Sequence, residues 1–347
     1  MARLLYGISP IGLGHATRAI AVGKELAASG LDILFATGGP AAQCLRSSGF
    51  QVSDVVTEPV PNVRDGEMKN AALWYFRYWR GFRRTKSELG KLVSSWRPDA
   101  IVGDEEFSCV TLALERSIPH ALISDELELG FARSWLARKV EARVAEWYSG
   151  LQQRTSLLII PEDGDDQGNK RFVGPIVRNT TRTRAQVIEE FGLPADRRLV
   201  VLSLSGTGIG GYLTGIVANA VSSLQNAALV VVGNRAKRLT GNGIFDLGVV
   251  TEGQNLVAAA DLVVSTAGKS TIDEAASCGT PLIVIPIRNH PEQLRNASAL
   301  GFQPGDLQRL PELVASLVGK RKRPQEFQGA QRTAAIISSL LHARTFT

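Results

Sequence analysis

Short apolar runs recur along this chain, each followed by a small-residue turn and then an amphipathic stretch. In the first half they lie at 3–9, 32–37, 99–104, 120–125 and 157–160. Runs of that length, apolar without alternation, suit strands of a parallel sheet buried on both faces. Stretches of helical period separate them at 16–28, 41–47 and 110–116, with a further amphipathic, basic stretch at 131–154. The pattern restarts after a helix at 183–191. Strands are predicted at 199–205, 228–233, 249–252, 262–266 and 281–287, and helices after 254, at 270–278, 307–317 and 330–342. Strand–turn–helix repetition of this kind predicts an α/β fold with two Rossmann-like, doubly wound parallel sheets. The segment Phe172-Val173-Gly174-Pro175 separates the two halves, giving domains at 1–174 and 175–347.

The turns carry the candidate chemistry. In the second half, Ala267, Gly268, Lys269, Ser270 and Thr271 lie where a strand gives way to a helix. Unpaired N–H groups and the helix dipole make such a start a good seat for a diphosphate. Glu274, one turn on, can reach a sugar hydroxyl beside the phosphates. Glu292 and Gln293 open the next helix and are candidates for donor-sugar hydroxyls, although the dipole alone also favours an acid there. A second turn, Ser205-Gly206-Thr207-Gly208-Ile209-Gly210-Gly211, contains Gly-x-Gly-x-x-Gly. The strand after it ends at Asn234 with no acid, so a nicotinamide site is not indicated. Lacking Gly-Lys-Ser/Thr, the turn is not a P-loop either, and it reads as a second wall of the phosphate site. In the first half, Gly12 and Gly14 flank a tight turn that delivers His15 to a helix entry. Asp104 and Glu126 lie at the ends of later strands, where α/β sheets bind ligands. His15 titrates in the range a general base needs, with Glu126 as the alternative base.

The pattern Ser265-x-Ala267-Gly268-x-x-Thr271-x-x-Glu274, continued by Gly279-x-Pro281-x-Ile283-x-x-Pro286 and by Glu292-Gln293-x-x-Asn296-Ala297, resembles a known signature. It is similar to the C-terminal block of the family 28 glycosyltransferases, MurG-like enzymes related to the UDP-glucuronosyltransferases. The resemblance implies a GT-B fold, two Rossmann-like domains facing across a cleft, and inverting transfer from a UDP-sugar without a metal. It also implies an N-terminal domain that reads the acceptor through the turn at Gly12 and Gly14. The stretch at Thr251 would hold the base through backbone groups, and the final helix, about 330–343, would cross back to the first domain. By analogy with related glucosyltransferases, Asp104 is the expected partner of His15. No role is assigned to His290.

Composition changes this picture in one respect. With 44% hydrophobic and 21% charged residues the chain is of ordinary globular composition, but its net charge is +6. Residues 77–97 hold seven Arg or Lys against one Glu, a local excess equal to that of the whole chain. Just before and within that stretch, six of the nine residues at 74–82 are aromatic. Trp74 and Trp79 with Arg77, Arg80 and Arg84 therefore define a candidate surface for an anionic membrane, or for the lipid-linked or hydrophobic acceptor that the resemblance implies. The alternative is a helix with its aromatics on the core and a solvated basic face. No apolar run approaches the roughly 20 residues of a membrane span, and no leader is evident. A cytoplasmic protein, peripheral on the inner face of the membrane, is expected. Cys44, Cys109 and Cys278 have no ligand spacing and read as reduced core residues. No metal, cofactor or nucleic acid is expected. Two other functions fit the same residues, a UDP-sugar 2-epimerase of GT-B-like fold and a non-catalytic binder of a membrane or nucleic-acid surface.

Overall fold

The computed structural model describes residues 1–59, 62–64, 67–125, 130, 135–204, 209–234 and 239–342. The chain forms two compact units, one of Met1–Pro61, Asn70–Val177 and Phe327–Thr347, the other of Asn62–Lys69 and Arg178–Glu326.

In the first unit the elements run β1 (Arg3–Ile8), α1 (Gly14–Ala28), β2 (Asp32–Thr37), α2 (Gly39–Ser47) and β3 (Gln51–Asp54). After β3 the chain passes through a short antiparallel hairpin that belongs to the second unit, β4 (Asn62–Arg64) and β5 (Glu67–Lys69), and the first unit resumes with α3 (Ala71–Trp96), β6 (Ala100–Asp104), α4 (Phe107–Glu115) and β7 (His120–Ile123). α5 (Trp135–Arg154), β8 (Leu157–Ile160) and β9 (Lys170–Phe172) complete the sheet. Its seven strands lie in the order β3-β2-β1-β6-β7-β8-β9, all parallel. Chain order reverses between β1 and β6, where Ile8 is opposite Asp104. Leu4, Tyr6 and Ile8 of β1 face one core cluster with α1 residues Ala19, Ile20 and Val22. Leu5 faces another, with Ile101, Leu89 and Leu112. The last helix, α12 (Gly329–His342), adds Ala330, Ala334 and Ile337 to the first of these clusters.

The second unit runs α6 (Arg184–Phe191), β10 (Arg198–Ser203), a 3₁₀ turn at Ile209–Leu213, α7 (Thr214–Ser222), β11 (Ala227–Val232) and β12 (Ile244–Gly248). Then follow α8 (Gly253–Ala259), β13 (Leu262–Ser265), α9 (Lys269–Cys278), β14 (Leu282–Val284), α10 (Pro291–Ala299) and α11 (Leu310–Leu317). Five parallel strands are ordered β12-β11-β10-β13-β14, and here the reversal lies between β10 and β13. Val200 and Leu202 pack under α7 and α11, while Leu199 and Val201 pack under α6 and α8. Thr183 begins α6 with a reciprocal capping box to Gln186, which satisfies two orphan donors at once.

The doubly wound α/β architecture expected from the alternation is present twice. Three local expectations are corrected. The strand predicted at 249–252 lies instead at β12, which stops at Gly248 with φ +66°, and Val249 is 43% exposed. β9 is a further strand after 157–160; its Lys-Arg-Phe sequence shows no apolar run because all three residues are only half-buried at the sheet edge. The turn after β10 leads into a 3₁₀ turn before α7 rather than directly into an α-helix.

Where α12 begins, the backbone approaches its neighbour too closely for a side chain. A Cβ on Gly329 would lie 2.4 Å from the Pro175 carbonyl oxygen and 2.6 Å from that of Gly174. Gly329→Ala is expected to cost about 1–3 kcal/mol, as overpacking generally does, read as a lower midpoint in chemical unfolding.

Candidate functional site

In the first unit, the C-terminal ends of β1 and β6 frame a buried charged cluster. β1 runs into a turn whose Gly12 adopts φ +81°, a conformation that glycine permits at little cost. Gly14 is the first residue of α1, and no side chain caps that helix. His15 follows, with its side chain 24% exposed and Nδ1 3.1 Å from Asp104 Oδ1. Asp104 is fully buried at the end of β6. Arg18, one turn further along α1, donates from Nε to Asp104 Oδ2 at 3.0 Å and from Nη2 to Oδ1. Its Nη1 reaches Asp125 Oδ1 at 3.2 Å. Burial opposes ionisation of Asp104, but the Arg18 charge and hydrogen bonds from His15 and Arg18 outweigh it and lower the pKa. For His15, burial acts to lower the pKa, and the hydrogen bond and charge of Asp104 overcome it, leaving a net rise. An ionised Asp104 can only accept, so neutral His15 carries its proton on Nδ1 and presents Nε2 as a lone pair.

More acids line the same end of the sheet. Glu105, at φ +50°, accepts from the Ser124 hydroxyl and from Asp125 N at 3.1 Å. Burial and the Asp125 charge raise its pKa to about 7. Glu58 accepts from Ser9 Oγ at 2.8 Å, and burial with Glu106 repulsion raises it to about 8. Glu106 is a helix cap, accepting from Ser108 N at 3.3 Å and Cys109 N at 2.7 Å. Sequence reasoning missed Arg18 and Glu58 and gave Glu105, next to Asp104 at the same strand end, no role of its own. Arg18 had a visible signal, a lone guanidinium among Ala16, Ala19 and Ile20 three residues from His15. Glu126 lies outside the described residues.

In the second unit the corresponding place is the reversal between β10 and β13. Gly268 precedes α9 as its N-cap at φ −76°, and no side chain caps the helix. Ala267 is buried, whereas Gly268, Lys269, Ser270 and Thr271 are part-exposed. Lys269 Nζ donates to both oxygens of Asp273, each at 2.8 Å. Glu274 is 8% exposed, and its Oε1 accepts from Arg178 Nε at 3.0 Å and Nη2 at 2.9 Å. Arg178 Nη1 donates to the Thr251 carbonyl oxygen at 2.7 Å, so Thr251 enters the arrangement through its backbone. The sequence carries no local signal for Arg178, whose ion pair spans 96 residues.

α10 is tied to the same region. Asn296 Nδ2 donates to the Ala267 carbonyl oxygen at 3.1 Å and lies 3.5 Å from Glu292 Oε1. Gln293 Oε1 accepts from Ile287 N at 3.0 Å, fixing the loop before the helix. His290, given no role from sequence, is the N-cap of α10 and accepts from Gln293 N. Burial lowers its pKa to about 4, which keeps it neutral and able to accept. Ser205, Gly206, Thr207 and Gly208 lie outside the described residues. Beside them, Gly210 packs so closely that a Cβ would come 3.0 Å from Leu204 Cδ2.

On α3 the structure separates the aromatics. Trp74 is half-buried and donates from Nε1 to the Pro59 carbonyl oxygen at 2.7 Å, while Tyr75 and Leu89 are buried. Leu73, Phe76 and Trp79 are exposed, as are Arg77, Arg80 and Arg84. Arg83 stacks on Trp79 at 5.0 Å. Exposed Trp135, Val140 and Trp147 lie on α5, and Trp147 meets Phe82 edge-on at 5.4 Å.

Residues 244–308 match the glycosyltransferase family 28 C-terminal domain, and residues 2–132 match glycosyl transferase family 1. Among relatives, the UDP-N-acetylglucosamine–N-acetylmuramyl-(pentapeptide) pyrophosphoryl-undecaprenol N-acetylglucosamine transferase of Leifsonia xyli is 26% identical, over 95% of this chain and 96% of the relative. An uncharacterized glycosyltransferase of Methanosarcina mazei is 24% identical, over 83% and 80%. The crystal structure of the glycosyltransferase SnogD from Streptomyces nogalater superposes with a TM-score of 0.61 at 18% identity, covering 98% of this chain and 99% of that one. Spinosyn rhamnosyltransferase SpnG complexed with thymidine diphosphate gives 0.60 at 17%, over 99% and 96%. The fold of this chain is that of the GT-B glycosyltransferases.

The Arg178–Glu274 pair is buried, and removing one partner strands a charge. Arg178→Met is expected to cost about 3–5 kcal/mol, and adding Glu274→Gln should recover part of that loss. Unfolding midpoints of the single and double variants check both statements.

Proposed function

We propose that this chain, a glycosyltransferase of the family 28, GT-B type, moves a sugar with inversion from a UDP-sugar to a hydroxyl of a lipid-linked or other hydrophobic acceptor. In this reading no metal is needed. The donor diphosphate lies on the N–H groups that open α9, beside Gly268, Ser270 and Thr271. Glu274, held by Arg178, takes the ribose hydroxyls. Glu292 and Gln293 face the donor sugar, and backbone groups near Thr251 hold the base. In the step itself, the acceptor oxygen bonds to the anomeric carbon as the bond from that carbon to the diphosphate oxygen breaks. The acceptor proton passes to His15 Nε2, and UDP leaves carrying the electron pair. Asp104 stabilises the imidazolium that forms, and helix N–H donors stabilise the charge on the departing diphosphate.

The observation that carries this reading is the His15–Asp104 pair, 3.1 Å apart where the first sheet reverses its strand order. It supplies a base whose second nitrogen is oriented by a buried carboxylate. The hydrophobic acceptor is supported by the exposed Leu73, Phe76 and Trp79 amid Arg77, Arg80 and Arg84. The Leifsonia xyli relative is named for an undecaprenol-linked acceptor. Among the described residues no helix is long and apolar enough to cross a membrane, so attachment at the inner face of the cell membrane would be peripheral, with Trp79 and the arginines against anionic headgroups.

A thermal-shift panel of UDP-, dTDP- and GDP-sugars, followed by transfer assays, tests the donor. UDP-sugars are expected to stabilise the protein most. Accumulation of an epimer from UDP-N-acetylglucosamine alone would replace transfer by epimerisation. His15→Ala should lower kcat by about 10²–10⁴-fold, the usual worth of a positioned base, with donor affinity kept. Because the His15 pKa is raised, kcat/KM should fall as pH drops through a value above 6.5. Gly268 has a φ any residue accepts and open space at its Cβ position. Gly268→Ala should therefore leave stability intact while weakening donor binding, and unchanged affinity in calorimetry would remove the diphosphate from this helix start.

A further inference from the structure

Arg18 stands closer to the proton-transfer pair than a merely structural residue requires. It is buried, it engages both oxygens of Asp104, and its third contact holds Asp125. Its Nη2 also lies 3.3 Å from His15 Nδ1. A guanidinium has no acceptor, so it cannot receive the Nδ1 proton. If His15 carried its proton on Nε2 instead, Nδ1 would face the ionised Asp104 with two lone pairs opposed, and its donor would be Arg18 Nη2. Asp104 therefore receives from both sides, and its place is fixed by the more rigid of the two donors. That donor is the planar fork of Arg18, whose bidentate geometry matches a carboxylate.

Resting on the reading of His15 as the base, we propose that Arg18 is a positioning residue for transfer. It clamps Asp104 and Asp125 so that His15 keeps Nδ1 donating to Asp104 and Nε2 available to the acceptor hydroxyl. The clamp has a second effect. An imidazolium at His15 forms next to a fixed cation, so Arg18 opposes the charge that Asp104 favours. The groups facing His15 are Asp104 at the end of β6, Glu105 just after it, Glu58 after β3 and Arg18 on α1 itself. Asp125 and Tyr6 face Arg18. Of these, Arg18 is the fixed cation, and its removal leaves the acids to raise the His15 pKa further.

The test compares full-length wild-type, Arg18→Gln, Arg18→Lys and His15→Gln proteins with the UDP-sugar that the transfer assay identifies. For each, pH profiles of kcat/KM, donor affinity and ¹⁵N spectra of the His15 ring are recorded. Arg18→Gln is expected to lose about 10–100-fold in kcat on the alkaline plateau, the range typical for groups that orient a ligand through another residue. Donor affinity should stay within about twofold, and the acid limb should move to higher pH. Arg18→Lys, which keeps the cation but not the fork, should hold the limb near its wild-type position while still losing plateau rate. A folded Arg18→Gln with wild-type limb and plateau would overturn the proposal. Should that variant fail to fold, Arg18→Lys with an unchanged plateau and unchanged His15 ring signals would overturn it instead. Full turnover in His15→Gln would overturn the base assignment itself, a result separate from either outcome for Arg18.

Discussion

A carboxylate taken out of water has to be met by charge and hydrogen bonds, and this constraint organises both halves of the molecule. Asp104 is sealed at the end of β6 and is met by Arg18 and His15. Glu274 is nearly sealed on α9 and is met by Arg178. In each unit the partner guanidinium also reaches a third group, Asp125 in one and the Thr251 carbonyl oxygen in the other. Buried pairs of this kind contribute little net stability against apolar substitutes, yet losing one member is costly. Their value here is positional, since each arginine decides where its carboxylate points.

The placement of these pairs follows from the sheets. All strands run parallel in both, so every strand delivers its C-terminal end to the same edge. Chain order reverses at β1/β6 and at β10/β13, and the helices after those strands diverge to opposite faces. His15 enters on α1 and Asp104 ends β6; Gly268 and Glu274 belong to α9, which follows β13. Close packing holds the turns there. A Cβ on Gly103, immediately before Asp104, would lie 2.5 Å from the Glu106 carbonyl oxygen. Asn296 holds the Ala267 carbonyl directly before α9.

Much of this was legible in the chain itself. The apolar runs gave the central strands because a strand buried on both faces has no polar alternation to confuse it. β9 escaped, since a short edge strand whose residues are only half-buried leaves no apolar run; the hairpin after β3 escaped because its strands are only three residues each. The position of Asp104 beside His15 followed from strand ends and analogy, but Arg18 and Arg178 did not follow from either. An ion pair spanning 86 or 96 residues is set by tertiary packing. His290 had no role in the sequence because it lies in a loop without a recognisable pattern; the structure makes it the cap of α10, and burial lowers its pKa so that it stays neutral there. The aromatics of 74–82 share α3, and that helix splits them. Trp74 turns inward to Pro59, and Trp79 faces outward beneath Arg83.

The account rests on the second unit gripping a sugar nucleotide through the opening of α9 and Glu274. Crystals soaked with a UDP-sugar test that most directly. Density for the diphosphate against the N–H groups of Ser270 and Thr271, with the ribose hydroxyls on Glu274 Oε2 while Oε1 stays on Arg178, is the predicted result. A nucleotide bound elsewhere, with Glu274 contacting Arg178 alone, would contradict it.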